Sequence, residues 1–160
     1  MIHSAAKFTN WIMKKNFFIK TFVIYLILIS GGMSMQSNYF EEGIKFYQKK
    51  KFVKSKILFE RDIVFNPKSE KSYLYLAKIF DQIDNDEEQE INLNNVLLIN
   101  PQNDEAIYML TLLKIKLFDY DKAKELIDQF TLVCQSFCSK KNEIQEKFRK
   151  LTPENAKVNN

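Results

Sequence analysis

The chain has 160 residues, enough for one domain, and its 46% apolar content can support a core. Only 3 Gly and 3 Pro argue against disorder or an all-β chain. The net charge of +4 belongs to residues 1–34, which hold Lys7, Lys14, Lys15, Lys20 and no acid; 24 basic residues less these 4 leaves 20 against 20 acidic ones, so the remainder is neutral and lacks a general nucleic-acid footprint.

From Met13 the sequence reads as a basic start, an apolar run from Thr21 to Ser30 and a small-residue stretch, Gly31-Gly32-Met33-Ser34-Met35. This is the pattern of a secretory signal. The uncharged run from Thr21 to Met35 falls short of the ~20 apolar residues of a spanning helix. Gly32 and Ser34 supply the small pair for cleavage after Ser34; cleavage after Gly32, a retained signal anchor and a buried helix are the alternatives. Residues 1–12 precede a good start at Met13 and read as an over-long gene start. No Cys lies near the cleavage region, which argues against a bacterial lipoprotein. The expected location is the periplasm, or the inner membrane facing the periplasm, with membrane contact only through residues 13–34 if they are kept.

Seven helices are expected beyond this segment. The first runs from about Asn38 to Lys50, with Glu41 and Glu42 in its first turn. The second, about Phe52–Phe65, ends before Asn66-Pro67 because proline cannot continue the hydrogen-bond ladder. The third, about Ser69–Ile83, places Tyr73, Leu76, Ala77 and Phe80 at helical spacing. An acidic turn leads to the fourth, about Glu87–Ile99, whose Glu87, Glu88 and Glu90 favour a helix N-terminus. The fifth, about Asp104–Phe118, is apolar on most faces, and the sixth spans about Tyr120–Cys134. The seventh, about Lys140–Leu151, has Ile144, Phe148 and Leu151 on one stripe, as a capping helix should. Residues 152–160 form a polar tail.

Asn66-Pro67 and Asn100-Pro101 lie 34 residues apart, each after an apolar run, and 34 is the stride of a helix–turn–helix repeat. At that stride Tyr39, Tyr73 and Ile107 align, as do Gly43, Ala77 and Thr111, and Phe59, Leu93 and Ile127. The stretch Tyr39–Pro67 resembles a tetratricopeptide repeat (TPR), with Tyr39, Gly43, Phe46, Phe52, Ser55, Phe59 and Pro67 in its pattern. The third copy carries the other half of that pattern, Tyr120-Asp121-Lys122-Ala123 followed by Ile127 and Phe130. The resemblance implies an all-α fold, a short right-handed superhelical solenoid of three repeats (36–69, 70–103, 104–137) closed by a capping helix at 139–151.

It also implies a concave groove lined by the first helix of each repeat, holding a segment of another protein. The rows carried over are Phe40/Leu74/Tyr108, Ile44/Lys78/Leu112 and Tyr47/Asp81/Ile115, flanked by Gln48/Gln82/Lys116, and these side chains are expected to stand clear of the core. In the cytosolic groove that grips a terminal carboxylate, Lys and Asn stand where this chain has Phe40 and Ile44, so that mode is not expected. The alternative is that the face is filled by the chain's own N-terminal segment, by a second copy or by the seventh helix; self-association is therefore among the expectations.

Chemistry has little footing. The only His is His3, inside the segment expected to be removed, which leaves no Ser–His or Cys–His nucleophile system and no His-ligated metal. No Gly-rich phosphate loop exists, and the acids Asp81, Asp84, Asp86, Glu87, Glu88 and Glu90 lack the Gly of a tight calcium loop, so no metal or cofactor is expected. Lys45, Lys49, Lys50, Lys51, Lys54 and Lys56, with Phe46, Tyr47 and Phe52 between them, read as a solvated helix pair with core aromatics, or as a grip for an acidic partner. Cys134 and Cys138, at i and i+4, can pair only if the helix breaks near Gln135-Ser136; a disulfide, two buried thiols and a thiol redox pair are the open readings. The expected function is that of a non-enzymatic adaptor or assembly subunit of a bacterial envelope complex, with a periplasmic flagellar motor or collar part as one analogue, and a membrane-anchored self-associating subunit as the alternative.

Overall fold

In the computed structural model, residues 38–151 are described; the expected signal segment and the polar tail lie outside them. Among the described residues all regular structure is helical: α1 (Tyr39–Gln48), α2 (Phe52–Phe65), α3 (Glu70–Gln82), α4 (Asp86–Ile99), α5 (Asp104–Lys116), α6 (Tyr120–Val133), a 3-10 turn (Cys138–Lys140) and α7 (Lys141–Leu151). The helices pack as pairs, α1 with α2, α3 with α4 and α5 with α6; each second helix then packs on the next first helix, and α7 closes on α5 and α6. This is a three-unit helical-repeat solenoid with a cap.

The repeat is written in backbone as well as side chains. Lys50, Asp84 and Phe118 each occupy the left-handed region, with φ of 55°, 53° and 60°, and they stand 34 residues apart. Each is the residue that reverses the chain between the two helices of a pair. None is glycine, so every hairpin carries some backbone strain. The second pair and the third start their second helix on a side-chain cap: Asn85 Oδ1 accepts the Glu88 N–H at 3.2 Å and Asp119 Oδ1 accepts the Lys122 N–H at 3.3 Å.

Inside each pair a small residue meets a large one. A Cβ on Gly43 would lie 2.6 Å from Phe59 Cε1, so only glycine fits where the fully buried Phe59 ring crosses α1. Ser55 Oγ donates to the Gly43 carbonyl at 2.8 Å across the same crossing. In the next pairs the equivalent positions are Ala77 with Leu93 and Thr111 with Ile127: where the first residue is larger than glycine, the second is a branched aliphatic in place of the Phe59 ring. Thr111 donates its hydroxyl to Ile107 O at 2.8 Å, satisfying its buried oxygen.

The junctions between pairs are polar. Asp62 Oδ2 accepts from Ser69 Oγ at 2.6 Å and Ser72 Oγ at 2.5 Å, tying α2 to the start of α3. Glu70, in the first turn of α3, accepts from the side chains of Asn100 and Asn103 in the next junction. One period later Asp104 Oδ2 accepts three successive backbone N–H groups, from Gln135, Ser136 and Phe137 at 2.7, 2.6 and 2.8 Å. Burial pushes this carboxyl up, but the N–H groups of Phe137, Gln135 and Ser136 outweigh it and hold it below the ordinary aspartate value.

Candidate functional site

Helices α1, α3 and α5 share one wall. Phe40 and Tyr47 of α1 both reach Tyr75 of α3, with ring centroids 5.9 and 5.0 Å apart. Lys78 of α3 lies 4.7 Å from the Tyr75 ring centroid and pairs with Glu105 of α5 at 2.7 Å. Further along, a cavity of about 320 Å³ is lined by Asp81, Gln89, Tyr108, Met109, Leu112, Leu113 and Lys116. Its floor is aromatic and aliphatic. At its rim Asp81 and Lys116 are exposed. Lys116 is held by Asp86 at 2.7 Å and Asp84 at 3.4 Å, and the Asp86 hydrogen bond raises its pKa above the ordinary lysine value.

Of the nine side chains placed in the groove from sequence, Phe40, Ile44, Tyr47, Lys78 and Leu112 are half-buried and Asp81 is exposed. Leu74, Tyr108 and Ile115 are buried, at 8%, 9% and 4% exposure, against the expectation that the rows stand clear of the core. The reason is their position on the two inner first helices, which are flanked by packed neighbours on both sides. Phe40 also belongs partly to the core, since its ring lies 5.7 Å from that of Phe59.

Tyr108 is covered by the C-terminal segment. Its ring lies 5.9 Å from Phe137 and 6.2 Å from Phe130, and its hydroxyl donates to Glu143 Oε1 at 2.8 Å. Burial first, then the Glu143 carboxylate, pushes the Tyr108 phenol up to about 12. Glu143, hydrogen-bonded by Lys140 and by Tyr108, is held down to about 2. The third-repeat end of the wall is therefore partly filled from within by α7 and the segment before it. On α7, Ile144 is fully buried and Phe148 is half-buried.

Cys134 and Cys138 form a disulfide, with Cα atoms 5.2 Å apart. Helix α6 ends at Val133, so the break that pairing requires falls where the Asp104 carboxylate takes the backbone N–H groups of Gln135 to Phe137. In the first repeat Lys54 sits 5.7 Å over the Phe46 ring, and Lys45, Lys49, Lys50 and Lys51 are exposed.

Tyr75 and Met109 are wall residues that alignment at the repeat stride misses. Tyr75 has Glu41 and Met109 as its equivalents, so no shared residue type marks the position. The only signal for Tyr75 is an aromatic at i+2 from Tyr73, which would put it on another face than the residues that align at the repeat stride.

No protein-family model matches the sequence, and no curated protein matches it. Solved structures do match in fold. The first TPR of Spaghetti (RPAP3), bound to an HSP90 peptide, superposes with a TM-score of 0.64 at 14% identity, covering 75% of this chain and 98% of that one. The CopN–Scc3 complex gives 0.63 at 15% identity, covering 76% and 74%. The TPR domain of Sgt2 from Aspergillus fumigatus gives 0.60 at 14% identity, covering 79% and 83%. At these identities the likeness establishes the fold: a tetratricopeptide-repeat solenoid.

Proposed function

We propose that the protein is a non-enzymatic adaptor that holds a polypeptide segment along the α1–α3–α5 wall. The observation that carries this is the continuity of the wall: half-buried Phe40, Tyr47 and Tyr75 lead past the Lys78–Glu105 pair to the 320 Å³ cavity. Aromatic anchors beside an apolar pocket with a charged rim are what a protein-binding surface offers. A chain with a TPR domain of the same fold, Spaghetti (RPAP3), has a peptide bound in its structure. Phe40 and Ile44 bring apolar contacts where a carboxylate grip needs Lys and Asn, so the ligand here is an apolar strip or amphipathic helix rather than an acidic chain end.

The setting we infer is the bacterial cell envelope. The signal-like pattern of residues 13–35 supports export, and the Cys134–Cys138 pairing suits an oxidising compartment. In that setting the protein is an assembly part of an envelope complex, of which a periplasmic flagellar motor is one example by analogy. Intact mass of the protein recovered from cells tests the first half: a chain starting at Met35 supports export with cleavage, and one retaining residues 13–34 refutes cleavage.

The groove is tested by crosslinking in intact cells followed by mass spectrometry, comparing wild type with Leu112→Glu and with Asp81→Lys plus Lys116→Glu. Asp81 and Lys116 are exposed and Leu112 is half-buried, and an unchanged helical circular dichroism spectrum is the check that each variant folds. Neighbours captured by wild type should be lost from both variants. Identical neighbours in all three would remove the groove from the binding site.

A further inference from the structure

The three repeats differ in how their second helix stops. Helices α2 and α4 end at Asn66-Pro67 and Asn100-Pro101, where proline cannot continue the ladder. At the same stride the third repeat has Cys134-Gln135, and from Cys134 to Lys140 the chain holds neither proline nor glycine. Helix α6 nonetheless ends at Val133. Asp104 favours that end but does not compel it. The N–H groups of Gln135, Ser136 and Phe137 that it accepts would find the carbonyls of Thr131, Leu132 and Val133 if α6 ran on. The disulfide does compel it. On a helix, side chains four positions apart have Cβ atoms about 5–6 Å apart, and a disulfide needs about 3.5–4.5 Å. While Cys134 and Cys138 are joined, α6 has to stop.

The same stretch suits a helix once the bond is gone. Phe130, Phe137, Ile144 and Leu151 follow one another every seven residues, so a helix running from α6 into α7 keeps them on one side. The bond is within reach of solvent: Cys138 is exposed, while Cys134 is half-buried against the core. What the stop controls is the cover over the groove. The turned-out chain sets Phe137 5.9 Å from the Tyr108 ring and leads into α7, whose Glu143 accepts the Tyr108 hydroxyl at 2.8 Å. Of α7 itself only Ile144 is buried outright, so the cover is light.

We propose that the Cys134–Cys138 disulfide is a redox-operated helix stop that holds α7 over the third-repeat end of the groove, and that a dithiol reductant releases it. A thiolate of the dithiol attacks the exposed Cys138 Sγ, the bond to Cys134 breaks, and Cys134 leaves as a thiolate that takes a proton. The second thiolate of the dithiol attacks the mixed disulfide, and Cys138 leaves in the same way. Two electrons and two protons reach the protein, and the reductant ends as a disulfide. With both thiols free, α6 extends, Phe137 leaves Tyr108, and α7 gives up its place on α5. The wall then lies open along its whole length. That last consequence rests on the groove proposed above; the stop itself does not.

The test is hydrogen exchange followed by mass spectrometry, on the full chain purified as it accumulates, either oxidised or treated with dithiothreitol. An intact mass two hydrogens heavier confirms reduction. Closing a loop this short restricts the freed chain by about tenfold or more, so amides of α7 should exchange about tenfold faster after reduction while those of α1 to α4 keep their rates. Helical ellipticity should hold or rise, since helix replaces the turn. Cys134→Ser plus Cys138→Ser should behave as the reduced chain and ignore dithiothreitol. Adding Gln135→Pro to that pair should restore slow exchange, because proline ends the helix without a disulfide. The backbone admits it: Cys134 has φ −58° and ψ 138°, the extended geometry favoured before proline. Proline removes one of the three N–H groups that Asp104 accepts and leaves two. Exchange in α7 that is indifferent to reduction overturns the proposal. Falling ellipticity overturns the extension of α6, and a proline variant as fast as the double serine variant overturns the stop. If these readouts switch while the Leu112, Asp81 and Lys116 variants capture the same neighbours as wild type, the groove is refuted and the stop stands.

Discussion

Replacing Gly43 with alanine should destabilise the protein even though alanine is the better helix former. Gly43 lies inside α1, where the substitution alone would gain about 1 kcal/mol of helix propensity. Against that, the new methyl would sit 2.6 Å from Phe59 Cε1, 2.9 Å from Cδ1 and 3.0 Å from Cζ. The ring has no room to swing, since Phe59 is fully buried and its centroid is 5.3 Å from Tyr75 and 5.7 Å from Phe40. Overpacking of this kind costs about 1–3 kcal/mol, so the net loss is about 1 kcal/mol and the melting temperature should fall by about 4 °C. The sign should reverse when the ring is removed. In a Phe59→Leu background, which recreates the Ala77/Leu93 pairing of the next repeat, Gly43→Ala should stabilise by up to about 1 kcal/mol. Urea titrations of the four proteins measure the coupling directly. A stabilising Gly43→Ala in the wild-type background, or equal effects in both backgrounds, would refute the packing argument.

Phe118→Gly and Lys50→Gly should each raise stability by about 1 kcal/mol in a thermal melt, because both residues hold left-handed backbone that a side chain opposes. Asp104→Asn should cost about 2 kcal/mol by weakening three charge-assisted hydrogen bonds at once, and hydrogen exchange at Gln135, Ser136 and Phe137 should accelerate. Tyr108, raised from 10.0 to about 12, contributes stability that is complete below pH 10 and lost as pH rises from 10 to about 12; Tyr108→Phe should flatten that alkaline limb of a stability–pH curve. Glu143, lowered from 4.5 to about 2, contributes stability that is present above pH 4.5 and lost as pH falls toward 2, and Glu143→Gln should remove that part of the acid limb.

The stride was legible in the sequence because packing enforces it: Gly43, Phe59 and Pro67 each solve a local steric problem that recurs one repeat later. The helices followed from it, and their predicted limits fall within about two residues of those observed. The wall was legible only in part. Its rows were placed by register, but register does not say how deep a side chain sits, and Leu74, Tyr108 and Ile115 are buried because neighbouring helices close over them. The Tyr108–Glu143 bond joins residues 35 apart, across a segment whose path depends on where α6 stops. That stopping point rests on Asp104, whose sequence neighbourhood shows only an ordinary acidic first turn. The same gap left the cysteines undecided, since two thiols one helical turn apart pair only when the helix between them is gone.

Glu70 and Asp104, one repeat apart, each grip the chain that follows their own pair, Glu70 through the side chains of Asn100 and Asn103 and Asp104 through the backbone N–H groups of Gln135 to Phe137, so the chain after the third pair is received at the position where another unit would begin. What arrives instead is Phe137 and α7, with Ile144 turned inward. The protein thus carries its own terminator, and an extra unit appended behind Leu151 would find no free socket. Lengthening the array would require splicing a 34-residue module between Asn103 and Asp104, where the fastening held by Glu70 ends and the one held by Asp104 starts.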